Sequence, residues 1–288
     1  MIWYLICAAL VFVALYAFLL RPAKVTPEQI NPFRGRTYAH RGLHSQHSNV
    51  PENSLEAFEI AARRGYGVEL DVRCSADGKP IVFHDEMLSR LCGIPKAVED
   101  LTAEQVTKLR IMTSEQCIPT LQEALTQIAG RVPVIVEVKT GKKNREKLCR
   151  AVAEILLDYS GDVCVASFDP KTLYWFRRHF PDCLRLQLAT DMKNRQVNPF
   201  SKYLLENLML NCLSRPHIVG YEHDFAQNRH FRRCYTRFGA LSCLFTVEKQ
   251  TEFDNCAKYA GMVIFEQFFP KPRFDALKVV NGKVARGD

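Results

Sequence analysis

The chain has 288 residues, 47% of them hydrophobic and 24% charged, with a formal net charge of +8. That length suits one domain of barrel size or two small ones, and the positive balance favours anionic surfaces or substrates. The Lys and Arg residues are scattered with no nucleic-acid motif, which argues against nucleic-acid binding, and 11 cysteines in apolar runs such as Val163-Cys164-Val165 read as buried free thiols, not a disulfide framework or zinc site.

The first element is an uninterrupted apolar run, Ile2–Leu20. As a helix it spans about 28 Å, close to the hydrocarbon thickness of about 30 Å. No Lys or Arg precedes it, and it is longer than the usual apolar stretch of a cleaved signal peptide, so an uncleaved membrane anchor is expected over 1–21. Arg21, Lys24, Arg34 and Arg36 follow it, and the positive-inside rule then puts the rest of the chain in the cytoplasm. Pro22, Pro27 and Pro32 predict a stiff, non-helical linker over 22–36.

From residue 37 onward, short apolar runs alternate with helical periodicity. A strand is expected over 37–40 and a helix over 55–64, capped by Ser54. A second strand runs through Glu69 and Asp71, turns at Ala76-Asp77-Gly78-Lys79 and returns as a hairpin through 81–83 to His84. Residues 86–118 do not read as a barrel unit and are taken as an insertion over the site. After a helix over 120–129, strand and helix repeat: strands near 134–139, 163–166, 184–188, 218–221, 241–246 and 262–265, with helices over 145–159, 170–180, 201–213, 225–238 and 252–259. About eight such alternations predict an α/β fold, a TIM (β/α)8 barrel over 37–272, with ligands at the C-terminal rim. The basic stretch 229–237 interleaves Phe231 and Tyr235, which reads as a solvated face with a buried apolar stripe. The tail, 273–288, is polar and basic and expected to be poorly ordered.

The chemistry-bearing residues fall at strand ends: His40-Arg41-Gly42, Glu69-Leu70-Asp71, His84-Asp85 and Glu137-Val138-Lys139. Strand residues two apart share a face, so Glu69 projects with Asp71 and Glu137 with Lys139. Three adjacent carboxylates repel unless a cation sits among them, and hard oxygen ligands suit one Ca²⁺ or Mg²⁺. Arg41 and Lys139 can hold a phosphate. His40 and His84 can act as acid and base across a phosphodiester, with the assignment between them open. His44 and His47 flank the following loop, but imidazole does not match the carboxylate set, and they are not taken as metal ligands.

At these residues the chain resembles the glycerophosphodiester phosphodiesterase family. The resemblance rests on Ala39-His40-Arg41-Gly42, Pro51-Glu52-Asn53-Ser54 with Ala57-Phe58, Glu69-Leu70-Asp71-Val72, Asp77-Gly78, Phe83-His84-Asp85 with Leu88 and Arg90, Ile118-Pro119-Thr120-Leu121, and Glu137-Val138-Lys139. It implies a TIM barrel with a small insertion and hydrolysis of a glycerophosphodiester to glycerol 3-phosphate and an alcohol. It also implies His40 and His84 as the acid–base pair, Glu69, Asp71 and Glu137 around a divalent cation, and Arg41 and Lys139 on the phosphate. The chain departs from the family pattern at Phe245-Thr246-Val247-Glu248 and at Phe265-Glu266-Gln267-Phe268-Phe269-Pro270, rim positions expected to meet the alcohol end of the substrate. The anchor together with Phe265, Phe268 and Phe269 suggests a lysophospholipid as the alternative substrate. A catalytically silent anchored binding protein is the reading of another class.

Overall fold

A computed structural model describes residues 1–45, 49–141, 143–193, 197–280 and 283–286, with side chains described as far as Ala276. It opens with α1 (Ile2–Leu20), the one-turn α2 (Pro27–Ile30), β1 (Arg36–Ala39), α3 (Leu55–Arg63), β2 (Gly67–Cys74) and β3 (Pro80–Val82). Then come α4 (Ser89–Cys92), α5 (Ala103–Val106), α6 (Leu121–Ile128), β4 (Val134–Val138), α7 (Arg145–Leu157), β5 (Val163–Ser167), α8 (Pro170–His179) and β6 (Leu184–Ala189). The rest is α9 (Pro199–Glu206), α10 (Asn211–Ser214), β7 (Ile218–Glu222), α11 (Arg229–Thr236), β8 (Leu241–Val247), α12 (Gln250–Cys256), β9 (Met262–Phe265), and the hairpin β10 (Leu277–Val280) and β11 (Lys283–Arg286).

β1, β2, β4, β5, β6, β7, β8 and β9 pair in that order, and β9 pairs back to β1, so the eight close into a barrel. All eight pairings are parallel. β3 is the expected hairpin return, antiparallel to the end of β2 with Val72 opposite Val82. Alternation along each strand sorts the core into two layers. Val68, Leu70 and Val72 of β2 face outward and pack under α3, α6 and α7. Tyr38, Ile135, Cys164, Leu186, Ile218, Cys243 and Ile264 point inward and fill the lower barrel. The helix starts are written locally. The Ser54 hydroxyl accepts from the Ala57 N–H at α3, and Thr120 and Glu123 form a reciprocal cap on α6.

Several expectations are corrected. The segment 22–36 is not a free linker. Thr26 and Gln29 cap the turn of α2, and the buried Ile30 and Phe33 join the interior cluster beneath the barrel. Burial of those two side chains outweighs the stiffness of the three prolines. The helix expected over 225–238 begins only at Arg229, because Asn228 accepts from the His230 and Phe231 N–H groups and ends a short turn at 223–225. Its Phe231, Cys234 and Tyr235 are buried, as the apolar stripe predicted. The segment 201–213 breaks into α9 and α10. The tail is not without structure: Phe274 N–H donates to Gly35 O, and β10 pairs antiparallel with β11. The 11 cysteines are all free thiols, seven of them buried.

The insertion 86–118 folds against β3 around its own small core of Leu88, Leu91, Val98, Val106 and Ile111 with Ile81 and Phe83. α1 is the one helix among the described residues long and apolar enough to cross a membrane, with mean hydropathy 2.5. Its first 14 residues are exposed, while Leu20 is buried on the barrel.

Candidate active site

Every candidate residue named from the sequence lies at the C-terminal end of the barrel. The inward positions of β2 and β4 carry the acids: Asp71 stands directly opposite Glu137 in the strand pairing, and Glu69 is one inward step below. One carboxylate oxygen from each of Glu69, Asp71 and Glu137 lies within 4.8 Å of the others, and all three residues are buried. Asp71 is held from the side by Asn53, whose amide donates to Oδ2 at 2.9 Å. Its Oδ1 is buried and accepts no hydrogen bond, although the Lys139 ammonium stands 3.1 Å away. Lys139 Nζ also donates to Glu137 at 2.7 Å. Burial and the neighbouring negative charge of Asp71 push the Glu69 and Glu137 carboxyls above their ordinary range. Burial acts on Asp71 in the same sense, but the charges of Lys139, His84 and Arg41 outweigh it and hold that carboxyl low. A buried set of three carboxylates, with Asp71 Oδ1 accepting no hydrogen bond, fits a divalent cation.

Two histidines flank the acids. His40 follows β1, and Glu266, just past β9, accepts from its Nδ1 at 2.7 Å. Burial lowers the His40 pKa, but the Glu266 contact and the charge of Glu69 outweigh it, so the net shift is upward. His84 lies past β3, and Asp85 accepts from its Nδ1 at 2.7 Å. Burial, with Lys139 and Arg41 nearby, lowers the His84 pKa despite Asp71 and Asp85. In both rings a carboxylate holds Nδ1 and leaves Nε2 as the free nitrogen. Asp85 is in turn gripped by Arg90 at 2.5 Å, Arg90 by Glu52 at 2.8 Å, and Glu52 by Arg41 at 2.8 Å. One ionic chain thus ties the two sides of the site together through the insertion. Arg41 is held at φ 56, and a Cβ on Gly42 would meet Ala57 Cβ at 2.8 Å, so this turn accepts only glycine there.

The site opens into a cleft of about 650 Å³. One half is charged, with His40, Glu69, His84, Glu137 and Lys139. The other is apolar, with Phe168, Leu188, Phe245 and Ile264. Glu86, Val98 and Glu99 of the insertion border the charged half. Phe168 and Leu188 also border a separate small cavity of about 30 Å³ beside α9, with Met192, Leu204, Leu205 and Leu208 among its walls.

Glu266 and Glu52 are the residues at the site whose contacts the motifs did not reveal. Glu266 was grouped with the rim positions expected to meet the alcohol. It instead orients His40. Counting inward positions along β9 (Met262, Ile264, Glu266) beside those of β1 (Tyr38, His40) would have found it. The aromatic trio is also corrected. Phe265 is buried outside the barrel against Tyr66 and Phe268, and Phe269 lies on the surface under Arg64, so none lines the cleft. Phe245 and Thr246, the other departure, do border it. His44 sits 3.8 Å from Glu266 and away from the acid cluster, and His47 lies outside the described residues.

The sequence profile of the glycerophosphoryl diester phosphodiesterase family matches residues 40–262. The chain belongs to that family, and it is a phosphodiesterase of that class. A glycerophosphodiester phosphodiesterase from Caldanaerobacter subterraneus is 35% identical over 197 residues, covering 60% of this chain and 79% of the relative. Human glycerophosphodiester phosphodiesterase 1 is 34% identical over 151 residues, but the match covers 49% of this chain and only 44% of the human protein. An Oleispira antarctica phosphodiesterase, solved with the product sn-glycerol-3-phosphate, superposes with TM-score 0.67 at 21% identity, covering 81% of this chain and 93% of that one. A Thermotoga maritima glycerophosphodiester phosphodiesterase gives 0.62 at 24%, covering 80% and 93%. At those identities the two structures speak for the barrel fold alone.

Proposed function

We propose that the chain hydrolyses glycerophosphodiesters to sn-glycerol 3-phosphate and an alcohol. The observation that carries this is the buried Glu69–Asp71–Glu137 cluster flanked by two histidines, each tied to a carboxylate at Nδ1. Glu69, Asp71 and Glu137 would hold one Ca²⁺ or Mg²⁺, which when bound polarises the phosphoryl oxygens and draws negative charge into the cleft. Arg41 and Lys139 bind and orient the phosphate, Arg41 as a fork braced by Glu52 and Lys139 as a point charge. His40, whose pKa the Glu266 contact and the charge of Glu69 raise, serves as the acid and delivers a proton from Nε2 to the leaving oxygen. His84, whose pKa burial lowers, serves as the base and takes a proton at Nε2 from the attacking hydroxyl or water. Positioned acid–base groups of this kind contribute about 10²–10⁴-fold.

The chain divides into an anchor over 1–21, a segment over 22–36 that packs beneath the barrel, the barrel over 37–272 with its insertion at 86–118, and a tail over 273–288. The length and hydropathy of α1 support a single membrane span. The cations after it support a cytoplasmic catalytic domain.

A second reading, release of lysophosphatidic acid from a lysophospholipid, is favoured by the apolar side of the cleft, Phe168, Leu188 and Phe245. An acyl chain needs such a path, whereas a glycerol headgroup diester does not. The deciding experiment compares turnover of glycerophosphocholine and lysophosphatidylcholine by the full chain, with Ca²⁺ or Mg²⁺, and identifies the phosphate-bearing product. Preference for the lysolipid selects the second reading. No hydrolysis of either under any cation removes both and leaves a silent anchored binding protein.

A further inference from the structure

α1 does not stand free of the barrel. Its last turns pack against α10 and reach α11 through side chains, and these contacts give the direction. The Tyr16 hydroxyl bonds His230 Nδ1 at 2.8 Å and accepts from Arg233 at 2.7 Å. Four residues on, Leu20 O accepts from Asn211 at 3.0 Å and lies 3.7 Å from Cys234 Sγ. Ala23 N–H then donates to Pro216 O, just before β7 begins. α11 leads from the end of β7 to the start of β8, so its Arg229 end is at the catalytic rim and its Thr236 end at the opposite face. α1 therefore descends past the rim, and residues 2–15 rise above the face on which the cleft opens.

The free part of the helix is short. Fourteen residues span about 21 Å, roughly 9 Å less than the hydrocarbon core of about 30 Å. At the same rim, large aromatic side chains reach into solvent: Phe200 is 72% exposed, Tyr203 49% and Phe225 37%. The Lys193 ammonium packs over the Phe225 ring, and Arg229 is exposed beside His230. An amphipathic edge of this kind sinks about 5–10 Å into the headgroup boundary, which closes the shortfall.

We propose that the catalytic face of the barrel is held against the bilayer, with Phe200, Tyr203 and Phe225 in its interface, so that the cleft opens toward lipid. The proposal rests on α1 being a membrane helix. It differs from a simple tether, in which the barrel would hang clear of the surface with its cleft in water. The apolar half of the cleft, Phe168 and Leu188, belongs to β5 and β6 on the α9 side of the rim, so lipid would meet that half first. Arg229 and Arg233 take the headgroup level beside Tyr16, where cations favour anionic lipid.

The test is tryptophan quenching in the full chain, reconstituted into phosphatidylcholine vesicles containing phospholipid brominated near the headgroup end of the acyl chain. Phe200→Trp and Phe225→Trp are placed singly in a Trp3→Phe, Trp175→Phe background, and Asp182→Trp reports the opposite face in the same background. A Trp175→Phe chain that keeps Trp3 reports the helix itself. Hydrolysis in detergent verifies that each variant is folded. The expected result is loss of emission at Trp3 and at positions 200 and 225, with position 182 unaffected. Quenching of Trp3 without quenching at 200 and 225 overturns the proposal while leaving the anchor in place. No quenching of Trp3 removes the anchor, and the proposal with it.

Discussion

Glu266→Gln separates positioning from mere proximity. The substitution keeps the shape and a hydrogen-bonding oxygen near His40 Nδ1, now 2.7 Å from Glu266 Oε2, but removes the charge. A charge-assisted hydrogen bond contributes about 1.5–3 kcal/mol and a neutral one about 0.5–1.5, so roughly 1–1.5 kcal/mol of support for the imidazolium disappears. At 1.36 kcal/mol per pH unit, the His40 pKa falls by about one unit, since burial already pulls it down. His40 acts as the acid, so its proton must be present: the rate declines as pH rises through its pKa. The alkaline limb of the kcat profile therefore moves to lower pH by about one unit, and kcat falls by up to about tenfold on the alkaline side of the wild-type limb, with KM little changed. The acidic limb, set by His84 losing its proton, stays where it is. The assay is a pH series of steady-state rates on glycerophosphocholine, with circular dichroism verifying the fold. An unmoved alkaline limb, in a variant whose rate nonetheless falls, would refute the link between Glu266 and the His40 proton.

His40→Ala or His84→Ala should lower kcat at least about 100-fold with the fold intact, and near-normal rates in both would end the acid–base assignment. EDTA should abolish hydrolysis and Ca²⁺ or Mg²⁺ restore it; full activity after thorough chelation removes the cation from the reaction. In thermal unfolding, a cation at 100 times its Kd should stabilise the wild type by about 2.7 kcal/mol. Glu69→Gln should lose that gain while unfolding in EDTA no earlier than wild type, because it neutralises one of three crowded carboxylates; a preserved cation-induced shift would place the ion elsewhere. Phe33→Ala should cost about 3–5 kcal/mol by opening a cavity beneath the barrel, read as a lower denaturant midpoint with KM unchanged. A loss near zero would mean that the packing of 22–36 beneath the barrel contributes little to stability.

The sequence alone determined the barrel and which polar side chains gather at its rim. Eight apolar runs of strand length alternate with helical periodicity, and that rhythm leaves few architectures. Period two within β2 and β4 put Glu69 with Asp71 and Glu137 with Lys139, because a strand's side chains have only two directions. Which strands are neighbours was not local information. Asp71 meets Glu137 because β4 skips the β3 hairpin to pair with β2, and His40 meets Glu266 because β9 closes onto β1, partners 226 residues apart. The ionic chain Asp85–Arg90–Glu52–Arg41 likewise needs the insertion folded back over the rim. The apolar run of α1 predicted its helix, whereas the prolines of 22–36 gave no sign of the turn of α2, and neither stretch said where it packs. Burial of Ile30 and Phe33 beneath the barrel, and of Leu20 beside α11, is decided by surfaces assembled from residues far along the chain. A side chain's own sequence neighbourhood carries its conformational preference, while its contacts belong to whatever the closed barrel brings alongside it.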